Sequence, residues 1–252
     1  MRKLVIVTST ICPRNGALTY SQSKTHFSSD ERLRQTIFTV NSLTNSLPDA
    51  DIVIVDTSDE YQQYAALFHS YFKNVNFVPL KQLSSDACEI VNTNTHKSHC
   101  ESLLLQTYYE KFKDDIKNNY DFIFKTSGRY FHFDFNDKLL TEENKDKIFF
   151  KKPIEYTWSD SWRYHFVDLR HVEQTNVLRQ YSTVLYGYGV EHLDKFMDMN
   201  VATIHLTKYA SMSHYDIETL YYYFTRQYKN SIIEVDWKVS GWLGPSGQFV
   251  YY

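Results

Sequence analysis

Residues 125–130 read KTSGRY, and the strand-like run YDFIFK at 120–125 leads into them. A glycine at such a strand end lets the backbone turn sharply off a sheet edge. Arg129 would then project from the end of the strand, where its planar guanidinium suits bidentate binding of phosphate or carboxylate. The competing reading is a plain turn whose arginine pairs with a surface carboxylate. A second basic group lies in the long loop at residues 11–27, with Arg14, Lys24 and His26. A loop of that length in a compact fold is usually functional or disordered. It runs into a helix start, which favours an anion; otherwise it is a mobile surface loop.

Two further groups sit at helix starts. Asn94, Thr95, His96 and Lys97, with Glu101, open the strongest helical pattern in the chain. A lysine opposes the helix dipole there, which hints at an anionic ligand. His96, His99 and Cys100 do not make a zinc spacing. The second group is residues 213–218, SHYDIE. Asp216 and Glu218 are ordinary dipole partners in a first helical turn, or a general base for transfer to a hydroxyl. Trp158, Trp162, Tyr164, Tyr186, Tyr188, Trp237 and Trp242 read mostly as core. Exposed rings beside Asp160 and Arg163 would instead stack on sugars.

The elements that must carry these residues alternate. Residues 3–9, 51–56, 75–80 and 120–125 read as strands. Between them, residues 30–47, 60–72 and 96–118 read as helices, the first with a capping box at Ser28 and Glu31. This order implies a parallel sheet with helices on both faces. Ligands of such sheets bind beyond the carboxyl ends of the strands. The segments at those ends are 8–27, 56–59, 86–97 and 126–130. The second half is more mixed. Residues 147–151, 164–169, 183–188, 232–236 and 248–252 read as strands, and 190–199 and 216–228 as helices. No linker composition separates the halves, so the expectation is one domain over 1–252.

Composition excludes other classes. The chain has 252 residues, with 27 basic against 30 acidic side chains and a net charge of −3, which is not a nucleic-acid binder's footprint. Tyrosine and phenylalanine number 21 and 17, while glycine and proline number 7 and 5, so low-complexity classes are out. No apolar run approaches the roughly 20 residues of a membrane helix. The N-terminal apolar stretch is too short for a signal peptide. Three widely spaced cysteines, Cys12, Cys88 and Cys100, argue against a disulfide framework and for a reducing, cytoplasmic setting. No P-loop, zincin or C-x-x-C pattern occurs, and no G-x-G-x-x-G follows the first strand. Gly241, Gly244 and Gly247 repeat at every third residue but lack the strand-to-helix context of a phosphate loop.

The order of these motifs resembles the small GT-A-type glycosyltransferases of capsule or lipopolysaccharide gene clusters and of large DNA viruses. The resemblance rests on residues 23–43, 96–105, 120–131 and 239–250, and SGRY at 127–130 is its most specific stretch. It implies a GT-A-like α/β fold, with a mostly parallel sheet, a nucleotide-sugar-binding half at 1–130 and an acceptor-facing half at 131–252. It implies a nucleoside-diphosphate sugar as donor and a glycan hydroxyl as acceptor. Thr8, Ser9, Arg14, Lys24, Asp56, Lys97, Ser127, Gly128 and Arg129 are its donor-binding candidates. Asp216, Glu218 and Asp160 are its candidates for the base of an inverting reaction. The family's metal-holding Asp-x-Asp is replaced here by Ser127, Gly128 and Arg129. Arg129, helped by Lys24 or Arg14, could neutralise the departing diphosphate instead. Mn²⁺ or Mg²⁺ stays open, with Asp134 and Asp137 as the fallback ligands. Two readings compete: a non-catalytic nucleotide- or glycan-binding protein on a degenerate GT-A fold, and a nucleotidyltransferase.

Overall fold

The computed structural model describes residues 1–18, 21–135, 137–157, 177–209 and 216–252. The first half alternates as its periodicity predicts. Strands β1 (Lys3–Ser9), β2 (Ala50–Asp56), β3 (Val75–Pro79) and β4 (Phe122–Ser127) alternate with helices α1 (Ser29–Ser46), α2 (Gln62–Tyr71), α3 (Leu80–Leu83), α4 (Ser85–Thr93) and α5 (Lys97–Asn119). The capping box forms: the Glu31 amide donates to Ser28 Oγ and the Ser28 amide to the Glu31 carboxylate. Helix α4 departs from expectation, since residues 86–97 read as a strand-end segment. Ser84 caps it by accepting from the Ala87 amide, and only Ala87, Cys88 and Asn92 bury.

The second half supplies β5 (Tyr130–His132), β6 (Ile148–Lys151), β7 (Ile154–Thr157), β8 (Val177–Gln180), β9 (Leu185–Gly189), β10 (Ile232–Val235), β11 (Val239–Trp242) and β12 (Phe249–Tyr251). It also supplies helices Leu193–Tyr209 and Ile217–Thr225; the first runs ten residues past the expected 190–199. The strand expected at 164–169 lies outside the described residues. Among the described residues the main sheet has seven strands, in the order β10-β6-β9-β4-β1-β2-β3. Strands β4, β1, β2 and β3 are mutually parallel, and β9 runs antiparallel between β4 and β6. A smaller sheet, β12-β11-β5, stands beside it.

Both faces of the main sheet are buried, so β1 reads as continuous apolar sequence. Val5 and Val7 join Val40, Leu43 and Phe68 on one face, while Leu4 and Ile6 join Leu104, Leu105 and Tyr109 on the other. The same alternation explains the LYGYG sequence of β9. Tyr186 and Tyr188 stack on Phe196, the latter at 3.8 Å between ring centroids. Gly187 faces the other way, where an added Cβ would fall 2.2 Å from the Phe124 ring. Each fully buried aromatic contributes about 1.5–3 kcal/mol. The result is a rigid platform whose carboxyl edge, at Ser9, Asp56 and Ser127, carries the site.

Candidate active site

Three contacts fix the end of β4. The Gly128 amide donates to the Thr8 carbonyl at 3.0 Å, closing β4 against β1. Thr36 of α1 donates its hydroxyl to the Gly128 carbonyl at 3.1 Å and lies 3.4 Å from Ser9 Oγ. Residue 128 admits no side chain, since a Cβ would meet Thr36 Oγ1 at 2.9 Å. The Arg129 amide then turns back to the Ser127 carbonyl at 2.7 Å, and the Arg129 carbonyl accepts from the Trp242 amide at 3.2 Å. Arg129 is therefore held by its backbone on both sides while its guanidinium projects from the strand end.

That guanidinium enters a cleft of about 500 Å³ beyond the carboxyl ends of β1, β2 and β4. A cleft of this size takes a ligand of a few rings and phosphates. Of the residues expected at the donor site, Thr8, Ser9, Ser127 and Gly128 line its floor. Arg14, Lys24, Lys97 and Arg129 line its walls. Arg32 joins them, so that among the described residues five cationic side chains face one lining carboxylate, Glu101. Loop residues Leu243, Gly244, Pro245 and Ser246 close one side, so the wall is partly drawn from the half expected to face the acceptor.

The cations differ in their partners. Arg14 is neutralised, with its fork on Asp59 at 2.7 and 3.1 Å and Nη1 on Glu89 at 2.9 Å. Those hydrogen bonds raise its pKa further. Lys24 donates to the Asn92 carbonyl. Among the described residues, no carboxylate makes an ion pair with Lys24, Arg32 or Arg129. Glu101 is bound to Lys125, whose Nζ also donates to the Thr183 carbonyl at 3.2 Å. Burial would raise the Glu101 carboxyl, but Lys125, Lys97 and Arg129 outweigh it and hold it below its usual range.

Other expected residues lie elsewhere. Asp56 does not line the cleft. Its oxygens accept from the Ile11 amide at 3.0 Å and the Ser58 amide at 2.8 Å, which shapes the loop after β1. Asp216 and Glu218 are not lining residues either, but they stand close behind one. The Ile217 amide donates to Ser98 Oγ at 2.9 Å, which brings the start of helix Ile217–Thr225 against the start of α5, next to Lys97. Asp216 caps that helix through the Thr219 amide at 2.7 Å and accepts from Gln180 at 2.8 Å. Glu218 accepts from the Thr183 hydroxyl at 2.7 Å. Burial and then the charge of Glu218 push the Asp216 carboxyl up to about 6. Asp160, Trp158, Trp162, Arg163 and Tyr164 lie outside the described residues. Tyr186, Tyr188 and Trp237 are core, so of the described aromatics considered for sugar stacking only Trp242 is partly exposed.

The described residues at the cleft do not fit a carboxylate-held divalent cation. The strand end offers Ser127, Gly128 and Arg129, and the one lining carboxylate is committed to a lysine. Among the described residues, no group of three His, Cys, Asp or Glu side chains could hold a metal. Asp137 pairs with Lys3 at 3.1 Å, at the opposite end of β1 from the cleft. His99 is buried against Thr207 at 3.0 Å.

Sequence reasoning missed Arg32 and the C-terminal glycines. Arg32 lies one residue past the capping glutamate, in a stretch that reads as an ordinary polar helix face. Gly241 and Gly244 both pack on Arg129: Cβ atoms there would fall 2.2 Å from its carbonyl oxygen and 2.0 Å from its Nη1. Gly247 has a φ of +68° and packs on the His26 ring. Their spacing of three was visible in the sequence; the distant partner was not.

This is a GT-A-like α/β fold with a cationic cleft at the carboxyl edge of its parallel strands. The fold is shared with solved glycosyltransferase structures. Mouse xyloside xylosyltransferase 1, in its apo form, superposes with a TM-score of 0.52 at 11% identity, over 93% of this chain and 84% of that one. The S. cerevisiae mannosyltransferase Ktr4p superposes with a TM-score of 0.56 at 8% identity, over 93% of this chain and 69% of that one. At such identities the likeness is one of fold. No protein-family model and no curated protein matches the sequence. No helix among the described residues is long and apolar enough to cross a membrane.

Proposed function

We propose that the protein transfers a sugar from a nucleoside-diphosphate donor to a hydroxyl of a glycan acceptor. The observation that carries this reading is the cleft's charge: among the described residues five cations line it, Arg14 neutralised by Asp59 and Glu89, and the lining carboxylate Glu101 is itself bound to Lys125, in a chain whose net charge is −3. Such a site wants a compact polyanion with an organic portion, and a nucleotide sugar is one.

In this reading the nucleoside lies along Thr8, Ser9 and the loop after β1. The diphosphate lies toward Arg129. The acceptor oxygen attacks the sugar's anomeric carbon from the face opposite the diphosphate. As the bond to the β-phosphate oxygen breaks, its electron pair leaves with the nucleoside diphosphate, and Arg129 stabilises that charge. Asp216 takes the acceptor's proton, because a carboxyl raised toward 6 is better matched to that task near neutral pH than an ordinary one. The geometry behind Lys97 supports Asp216 with Glu218 beside it. Asp160 is the alternative base. The setting in this reading is cytoplasmic, in keeping with three free thiols.

A second reading has one observation in its favour. Asp216 and Glu218 are both engaged in structural hydrogen bonds and neither lines the cleft. That suits a protein that binds a nucleotide or glycan without turning it over. Incubation with a panel of nucleotide sugars and glycan acceptors separates the two. Release of a nucleoside diphosphate that depends on the acceptor supports transfer. Tight nucleotide binding with no release under any pairing supports the binding protein.

A further inference from the structure

We infer that Arg32 is the second half of a two-guanidinium clamp, which with Arg129 grips a pyrophosphate bridge without a carboxylate-held cation. The inference rests on the reading of the cleft as a nucleoside-diphosphate site and deepens it.

Arg32 enters from the first turn of α1, and Arg129 from the end of β4. Both line the same cleft. Arg32 is anchored on one side only. Its Nε donates to the Thr10 carbonyl and its Nη1 to Thr25 Oγ1 at 3.2 Å. A guanidinium has five N–H donors, so the rest of the fork is left for something else. No guanidinium N–H of Arg129 meets an acceptor among the described residues; the group lies by the Tyr130 ring, 5.9 Å from its centroid, and against Gly244.

The two groups repel. Burial lowers the Arg32 pKa most, and the charge of Arg129 lowers it further. Asp56 acts the other way, but the Ile11 and Ser58 amides occupy its oxygens. Glu101 feels Arg129 but is committed to Lys125. Two like charges held in a half-buried cleft, with no described carboxylate bridging them, destabilise the empty protein. They persist because the surrounding backbone fixes them, and they become favourable once an anion joins them. A pyrophosphate bridge presents two adjacent anionic groups, one for each fork, and planar forks bind such oxygens bidentately. The departing diphosphate would then be neutralised by two fixed cations.

The test uses the full chain and calorimetric binding of UDP, GDP, their monophosphates and inorganic pyrophosphate, all in EDTA. Wild type is expected to prefer at least one diphosphate to its monophosphate. Arg32→Gln and Arg129→Gln should each weaken that diphosphate at least tenfold and pull the diphosphate-to-monophosphate ratio toward one. Arg129→Gln should melt at or above wild type without ligand, because repulsion is relieved. A merely structural Arg32 would lower the melting point of Arg32→Gln, through its lost bonds to Thr10 and Thr25, but leave the diphosphate-to-monophosphate ratio unchanged. Arg32→Lys keeps the charge and the stem but not the fork, and should lose most of the ratio as well. The clamp is overturned if Arg32→Gln and Arg32→Lys bind diphosphates as wild type does while Arg129→Gln does not; the donor-site reading then survives. Wild type binding none of the probes overturns both.

Discussion

Gly244 lies so close to Arg129 that a Cβ at residue 244 would fall 2.0 Å from the guanidinium Nη1. The C-terminal loop therefore fixes where the arginine of the β4 end can point. The loop is itself tied down: its Gly244 carbonyl accepts from the His26 amide at 2.8 Å, and the Gly247 amide donates to the Leu243 carbonyl at 2.9 Å. Gly244→Ala would push a flexible side chain aside rather than disturb the core, so the stability loss should be about 1 kcal/mol, the low end for overpacking. Affinity for the preferred nucleoside diphosphate should fall roughly tenfold, because a misplaced fork loses one charge-assisted contact. Calorimetry alongside a melting curve checks both halves. A large drop in melting point with unchanged affinity contradicts the account.

Arg129→Ala should reduce turnover by about 10²–10³, the usual consequence of deleting one donor that stabilises developing charge. Wild-type activity should survive EDTA. Loss of all activity in EDTA, with recovery on adding Mn²⁺, would show that a metal does this work.

Asp216 gives a pH prediction with a definite sign. Its carboxyl is raised by burial and by Glu218 to about 6, so the folded state holds a proton that the unfolded chain has released. Its contribution to stability is present at acid pH and is lost as pH rises from the ordinary carboxyl range through about 6. Asp216→Asn keeps a good helix cap and should be more stable than wild type at pH 7.5, on the order of 1 kcal/mol. Turnover should follow deprotonation of a group near 6 and be lost in the variant. An unchanged pH profile in Asp216→Asn removes it as the base.

Glu101 and Lys125 form the buried pair beneath the cleft, with side chains 10% and 1% exposed. Glu101→Gln leaves the lysine charge buried and uncompensated, and should cost about 3–5 kcal/mol. Replacing both by Leu and Met should recover most of that. The Glu101 carboxyl is held low in the fold, so its contribution is full above the ordinary carboxyl pKa and is lost as pH falls through the folded value. Chemical denaturation at pH 7 and at pH 3 measures this.

The fold of the first half was legible in the sequence because its elements are long and strongly patterned. β1 matched its expected bounds, and the Ser28–Glu31 box marked the start of α1. Short elements were harder. β5 and β11 are three and four residues long, too short for a periodic pattern, and β5 is held by pairing with β11; α4 is held by a distant partner, its Asn92 donating to the Thr57 carbonyl at 2.9 Å. The site divided the same way. Arg129, Lys97 and Lys24 stood out because strand ends and helix starts are where charge is informative. Arg32 did not, because a helix's polar face looks alike whether it meets solvent or a cleft. Asp56 looked like a ligand because it ends a strand, yet two nearby amides claim it.

A metal-independent nucleotide site is tested most directly by a thermal-shift screen of the whole chain against UDP, GDP, CMP and TDP, each with Mn²⁺ and with EDTA. A ligand at a hundred times its Kd should raise the midpoint by roughly 5–10 °C for a chain of this size. One nucleoside diphosphate should do so equally in both conditions. No shift with any of the four, or a shift that appears only with Mn²⁺, would contradict it.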